Sequence, residues 1–374
     1  MLQTFFLEVF TLVCVPWLLF MSVQRKRYQN VPRRVLVVQT AKIGDLLCTT
    51  PLFRALHMHG DCVTVLCLGR TAEILQGNPC VADAVAFDAP QYCGLCGKVR
   101  LLSRLFFSHF DVSLVALPGG TNTLLGLWTA APLRVTTRGR TVGCFERVSH
   151  FFHRNIIRYQ RGTRTYEHYM ALAAAAGADR VPYKHEIFLT DAERENGVMW
   201  LRDHGIQPGD PFVLFSLSAG NRLKEWPLER FIAVARHVRQ RWRMKVAFSS
   251  ADSAVTQRAF DALGSDGEID AGGLDLRSLA AVIAHARLFV SVDTGPLYMA
   301  HALGIPIIDI VGPVDPREQP PPPGPLVTLV LPSTAQPTSF VADTLRVATE
   351  GQRRALDETT VEMVCKSVDE MLCR

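Results

Sequence analysis

The chain has 374 residues, 48% hydrophobic and 20% charged. That is too apolar for a disordered polymer and too long for one ordinary core, so two domains are expected and a single small binding module is not. Its 26 Gly and 22 Pro follow no G-X-Y period and no longer repeat, which excludes collagen and solenoids. The net charge of +5 sits at the N-terminus: residues 1–34 hold Arg25, Lys26, Arg27, Arg33 and Arg34 against Glu8, leaving +1 for the remainder. So balanced a remainder gives no reason to expect a nucleic-acid partner.

Residues 1–23, MLQTFFLEVFTLVCVPWLLFMSV, are apolar except for Gln3, Thr4, Glu8, Thr11 and Ser22, and RKRYQNVPRR follows. The run from 5 to 23 is long enough for a hydrocarbon layer of about 30 Å, so an N-terminal anchor helix is expected. Glu8 and Pro16 keep a shallow interfacial anchor open, and an export signal or a buried helix of the fold itself are the other readings. No positive charge precedes the run and no small-x-small site follows it, which disfavours a cleaved signal. The Arg-rich flank puts the globular part on the cytoplasmic face of the inner (plasma) membrane.

After the flank, VLVVQT (35–40) reads as a strand buried on both faces, followed by a helix running to Gly60 and the strand VTVLCL (63–68), a βαβ unit. The rhythm continues with a strand at 84–89, a helix at 98–108, a strand at 111–117 and a helix after Gly119-Gly120. Residues 135–184 read as less regular. The pattern then restarts: strands at 211–217, 244–250, 288–292 and 305–311, with helices at 227–240, 276–285 and 295–303 between them. Alternating strands and helices predict α/β architecture, two doubly wound parallel sheets. The expected division is an anchor and basic flank at 1–30, an N-terminal domain at 31–185, a C-terminal domain at 186–345 and a C-terminal helix at 346–374. Ten Cys show no repeated spacing, so no disulfide framework is implied. The CxxC at Cys93 and Cys96 has no second pair to complete a zinc site and reads as free thiols in a loop.

Ligands of open parallel sheets bind beyond the carboxyl ends of strands, and three motifs stand there. In AKIGDLLCTTP, Lys42 offers a cation, Gly44 permits close backbone approach, and Asp45 is either a helix cap or a general base. In SLSAGNRLKEWP, Ser218 and Lys224 precede a helix, an anion-ready arrangement. In SVDTGPLYMAHALGIP, Asp293 and Thr294 end a buried strand, and Gly295 opens a helix whose amides suit a diphosphate. No GxxxxGK[ST] and no GxGxxG after the first strand occur, which disfavours a P-loop enzyme and a dehydrogenase.

VLVVQTAKIGDLLCTTPLFRAL, SLSAGNRLKEWPLERFIAVA and LRSLAAVIAHARLFVSVDTGPLYMAHALGIPIIDIVGPVDP together resemble the family-nine glycosyltransferases, the heptosyltransferases of lipopolysaccharide core synthesis. The resemblance spans roughly residues 35–318. It implies a GT-B fold of two Rossmann-like domains facing a cleft, with the acceptor held mainly by the first and the nucleotide-sugar donor by the second. It implies inverting transfer with no bound metal and no cofactor, with an ADP-sugar favoured as donor and a lipid-linked or lipopolysaccharide-type glycan as acceptor. Asp45 matches the family's catalytic base, Lys224 its donor-phosphate lysine, and Asp293, Thr294 and Gly295 the element along the donor diphosphate. Lys42 and Gly44 fall on the acceptor or phosphate side.

Two departures stand out. Tyr298 occupies the place of a family His, and SSADS replaces a Gly-Gly-x-x-Glu turn, leaving Asp252 as a shorter stand-in for a ribose-binding Glu. They motivate an alternative, a catalytically silent nucleotide-sugar sensor or assembly subunit, and a nucleotide-sugar epimerase is a third reading. Glu167 and His168 are the reserve candidates for the base.

Overall fold

The computed structural model describes residues 2–25, 31–139, 143–264, 268–333 and 355–374. The chain divides into two compact units, one of Met1–His185 and one beginning at Glu186. Lys26 and Arg27 of the basic flank, and the boundary expected at 345/346, lie outside the described residues.

In the first unit α1 (Leu2–Gln24) precedes β1 (Arg34–Val38), α2 (Ile43–Cys48), α3 (Thr50–Met58), β2 (Cys62–Cys67), α4 (Gly69–Ala72), β3 (Asp83–Ala86) and α5 (Gly94–Phe107). Then come β4 (Val112–Val115), α6 (Gly120–Leu127), β5 (Leu133–Arg138), α7 (Cys144–His150), β6 (Asn155–Arg158) and α8 (Thr165–Ala175). Within 135–184, read as less regular, the described residues hold β5, α7, β6 and α8; these strands are short and end in polar or charged residues, so no apolar run announces them. The six strands lie parallel in the order β3-β2-β1-β4-β5-β6. The central strands are almost continuously buried, as sheets covered on both faces require.

The second unit runs α9 (Asp191–Asp203), β7 (Phe212–Ser216), α10 (Leu228–His237), β8 (Lys245–Ser249), α11 (Ser253–Leu263), β9 (Glu268–Asp270) and α12 (Leu276–Ile283). It continues with β10 (Leu288–Val292), α13 (Gly295–Ala302), β11 (Ile307–Ile310), β12 (Val327–Val330) and α14 (Val361–Leu372). Its parallel sheet, β12-β11-β10-β7-β8-β9, read from the other edge repeats the strand order of the first. Both are the Rossmann order, whose winding direction reverses between β1 and β4 and between β7 and β10. Gly197 of α9 lies so close to α12 that a Cβ there would meet the Ala281 carbonyl oxygen at 2.8 Å. Val364, Val368, Met371 and Leu372 of α14 complete the core around Phe215, Phe231 and Phe248, and Trp226 Nε1 donates to the Thr359 carbonyl at 3.0 Å.

The expected spanning anchor is corrected. Among the described residues no helix is long and apolar enough to cross a membrane, and α1 packs on its own unit. Val15 joins Leu124 and Leu127 of α6, Leu18 enters the cluster around Phe106 and Leu125, and Trp128 Nε1 donates to Thr11 Oγ1 at 2.7 Å. A helix holding one face in a protein core cannot also surround itself with lipid. The CxxC is corrected in a smaller way: Cys93 is the N-cap of α5 and Cys96 lies in its first turn, both exposed, so the motif opens a helix instead of sitting in a loop.

Candidate functional site

The switch point of each sheet is where loops from neighbouring strands diverge and leave room for a ligand, and each gathers motifs picked from the sequence. In the first unit the loop after β1 meets the start of α6: Thr40 Oγ1 donates to Asn122 Oδ1 at 2.8 Å. Gly119, at φ 141°, makes the turn that turns β4 into α6, a backbone region favouring glycine. Lys42, exposed, is the N-cap residue of α2, in extended conformation; Gly44 is buried; Asp45 is half-buried in the first helical turn. Asp45 therefore is not the cap that one reading made it. It sits three residues inside, where its charge favours the helix dipole.

Behind α2, Gln39 Nε2 donates to Thr49 Oγ1 at 2.7 Å and to the Tyr169 hydroxyl at 3.3 Å. Burial above all, then Cys48 and Asp45, pushes the Tyr169 phenol up, so it stays protonated. The reserve candidates part company. Glu167 is exposed and paired with Arg180 at 2.8 Å, whereas His168 is buried, shares a 2.9 Å hydrogen bond with Thr137 Oγ1 and is lowered by burial to about 4. It is neutral at physiological pH. Sequence reasoning missed Glu146 and His150, buried side by side on α7 at 3.6 Å. Burial raises the Glu146 carboxyl against the lowering effect of the Gly143 and Gly119 amides, and it lowers His150. Their one signal was the i, i+4 spacing within a segment that read as irregular.

In the second unit the switch point holds a compact charged cluster. A 3-10 turn, Arg222–Lys224, follows β7, and Lys224 Nζ bonds Asp293 Oδ2 at the end of β10. The Asp293 side chain is only 1% exposed and that of Lys224 14%. Tyr298, on the first turns of α13, is fully enclosed and donates its hydroxyl to Asp293 Oδ1 at 2.5 Å. The phenol thus does not stand in the open as a substitute for a cationic His; it holds the carboxylate that holds the lysine. Thr294 is the N-cap of α13 without a side-chain cap bond, and Gly295 is half-buried beside it. Pro296 has no N–H and the Leu297 N–H goes to the Thr294 carbonyl, so this helix start has fewer amides to offer an anion than its sequence suggested.

Ser218 lies beside the cluster's loop and accepts from Ser250 Oγ at 3.0 Å and Ala251 N–H at 3.1 Å, tying the loops after β7 and β8 together. Asp252, exposed, caps α11 by accepting the Ala254 N–H at 3.0 Å. Asp309 was missed. It sits on β11 opposite Ser291, wholly buried, and neither carboxyl oxygen has a hydrogen-bond partner among the described residues. Burial and then the Asp293 charge raise its pKa well above the usual carboxylate range, only partly offset by Lys224. With Asp309 protonated the Lys224, Asp293 and Asp309 trio is neutral, the state a dry interior favours. Its signal was a lone acid in the apolar run IPIIDIV. A separate concavity in this unit, lined by Ile206, Phe212 and Arg287, opens at the starts of β7 and β10, the wrong strand ends for this chemistry.

The family model for glycosyltransferase family 9 (heptosyltransferase) matches residues 121–344. Lipopolysaccharide heptosyltransferase 1 of Pseudomonas aeruginosa is 32% identical over 111 residues, 29% of this chain; the matched stretch spans 31% of that relative's length. Among solved structures, a glycosyltransferase family 9 protein of Veillonella parvula superposes with a TM-score of 0.78 at 19% identity, covering 93% of this chain and 99% of that one. The ADP-heptose lipopolysaccharide heptosyltransferase II of E. coli gives 0.71 at 17%, covering 91% and 98%. E. coli heptosyltransferase WaaC with ADP-2-deoxy-2-fluoro heptose gives 0.65 at 17%, covering 90% and 99%.

Two sheets in Rossmann order, with a lysine and carboxylate joined across the switch point of the second, define an α/β protein of the GT-B kind. The family match covers more than half of the chain and agrees with that architecture. The chain belongs to glycosyltransferase family 9, the heptosyltransferase family.

Proposed function

We propose that this protein is an inverting glycosyltransferase that moves heptose or a hexose from a nucleotide-diphosphate sugar, with ADP as the favoured nucleotide, to a lipid-linked or lipopolysaccharide-type glycan. The observation that carries the reading is the Lys224 and Asp293 pair spanning the switch point between β7 and β10. As a sugar leaves its nucleotide, negative charge grows on the diphosphate, and a fixed ammonium at a helix start is placed to take it. Lys224 meets that charge, Asp293 and Tyr298 hold the ammonium in register, and Thr294 and Gly295 bring the α13 start alongside. Lys224 supplies the ammonium, and the reading invokes no bound metal. Ser218 orders the neighbouring loop. Asp252 is the group nearest in kind to a ribose ligand, at the cost of its cap.

On the N-terminal unit Asp45 takes the acceptor hydroxyl's proton as that oxygen attacks the anomeric carbon, with Lys42 and Gly44 on the same turn. The related E. coli heptosyltransferase WaaC is seen with ADP and with ADP-2-deoxy-2-fluoro heptose, which supports an ADP-sugar as donor. A lipid-linked acceptor would put the reaction at the cytoplasmic membrane face, as the basic flank after α1 suggests. One observation favours a second reading, a silent nucleotide-sugar sensor: Tyr298 is enclosed against Asp293 and brings no positive charge to the site. A thermal-shift panel of ADP-, UDP-, GDP- and dTDP-sugars tests donor binding. A ligand at 100 times its Kd stabilises by about 2.7 kcal/mol. Stabilisation by the ADP-sugar that disappears in Lys224→Ala supports the assignment, and a flat panel refutes it.

A further inference from the structure

The α1 helix is covered on one face only. Thr11, Val15, Leu18 and Ser22 are buried, whereas Val9, Phe10, Val13, Trp17, Phe20 and Val23 recur at helical spacing on the outside, with Val13, Phe20 and Val23 at 74%, 60% and 79% exposure. A helix on an ordinary water-facing surface shows polar side chains there.

The apolar surface extends to two neighbouring elements. Trp17 stacks on Phe106 with ring centroids 4.6 Å apart, and Phe107, next to Phe106, is 69% exposed. Phe152 packs with Leu12, Val15 and Leu19 of α1, and its neighbour Phe151, just after α7, is 89% exposed. Scattered exposed apolar residues are ordinary; a patch assembled from three elements marks an interaction surface.

Charge selects what covers it. Residues 9–24 contain no acid, and Arg25, Lys26 and Arg27 follow in the sequence. The groove at the C-terminal end of α1 is lined by Arg34 and His109 with Asp111 as its acid, while Arg25, also lining it, points its guanidinium inward to the Thr129 and Phe106 carbonyls. Arg100 on α5, Arg147 on α7 and Arg154 just beyond it are exposed. A second copy of this chain would set like charge against like. An anionic bilayer takes the apolar stripe among its outer acyl segments and the exposed guanidinium groups at its headgroups.

We propose that this face of the first unit docks on an anionic lipid bilayer surface, with α1 lying in the interface plane and its inner face kept in the protein core. The inference rests on the membrane-surface reading above and names the surface that makes the contact.

The test is flotation of the full chain with phosphatidylglycerol and phosphatidylethanolamine vesicles, comparing wild type with the triple variant Val13→Ser, Phe20→Ser, Val23→Ser. Thermal melts report folding, and the shift given by ADP is measured in the same samples. The wild type is expected to partition onto these vesicles, weakly onto pure phosphatidylcholine, and the variant to partition at least roughly ten-fold less with an unchanged melt. Failure of the wild type to float, equal flotation of the variant, or a wild-type dimer that the variant splits without any change in flotation would each overturn it. Loss of flotation with the ADP shift intact separates this surface from the donor site. Absence of an ADP shift with flotation intact removes the donor reading and leaves the surface standing.

Discussion

Asp309→Asn tests whether the buried acid behind the donor cluster carries a proton. Asp309 is wholly enclosed, with neither oxygen hydrogen-bonded among the described residues, next to the Asp293 charge. Its pKa in the folded protein is therefore raised, and the sign follows. The group favours folding fully below the ordinary carboxylate value and opposes it progressively as pH rises toward the folded value. Across that window each pH unit removes about 1.4 kcal/mol. Asparagine has nearly the same shape and is neutral at every pH; its second N–H donor adds at most a pH-independent offset. The variant is expected to match wild type near the ordinary carboxylate value and to be the more stable protein at higher pH, by about 1.4 kcal/mol for each unit of the window crossed. Urea unfolding at half-unit steps from pH 4 to 8 measures both curves, and their difference cancels every titration the two proteins share. Parallel curves, or a variant less stable by a constant amount, would show that Asp309 is ionised and compensated, and the neutral-trio description would fall.

Four further outcomes are expected. Lys224→Ala weakens nucleoside-diphosphate affinity and, by stranding the buried Asp293 carboxylate, lowers the melting temperature; unchanged ADP titration calorimetry would remove Lys224 from the donor site. Asp45→Asn costs only about 0.3 to 1 kcal/mol of dipole stabilisation but lowers turnover roughly 100-fold to 10,000-fold, and turnover above about a tenth of wild type would clear Asp45 of the base role. Glu193, lowered to about 2 chiefly by Arg277, also closes the Thr190 capping box; its contribution is present above the ordinary value of 4.5 and fades as pH falls toward about 2. Glu193→Gln should destabilise by about 1 to 3 kcal/mol at neutral pH and flatten the acid limb of the pH–stability curve. Deleting residues 2–24 uncovers the α6 side of the first unit and, counting Val15 and Leu18 alone, costs about 3 to 6 kcal/mol; a truncated chain with an unchanged melt would show that α1 is a separable appendage.

The sequence made the strands and their parallel order legible because each central strand is a short apolar run between turn residues, and a doubly wound sheet puts the loops after such runs where ligands bind. Asp293 was legible for the same reason, as an acid ending a buried strand, and Lys224 as a cation ahead of a helix in the loop after another. Their direct pairing was not, since 69 residues separate them and only the strand order brings them together. Tyr298 read as a departure at the place of a family His because its position in the motif was visible, whereas its burial against Asp293 was not. Asp252 stood in for a ribose ligand on the strength of its charge, whereas its backbone position makes it a cap. Asp309 gave a single polar letter in an apolar run, too little to separate a buried acid from a strand edge. The most instructive miss is α1: hydropathy counts apolar residues but not which face they occupy, so a helix with one face in a core and the other outside reads as a span.

Sugar transfer from a nucleoside-diphosphate donor is read out by following release of free nucleoside diphosphate from the donor that the thermal panel selects, with membranes carrying the glycan acceptor. The wild type is expected to release nucleoside diphosphate only with acceptor, Asp45→Asn to lose release almost completely, and that variant to bind donor undiminished. Tight donor binding with no release by the wild type, whatever acceptor membranes are supplied, would contradict sugar transfer and leave the protein a nucleotide-sugar sensor.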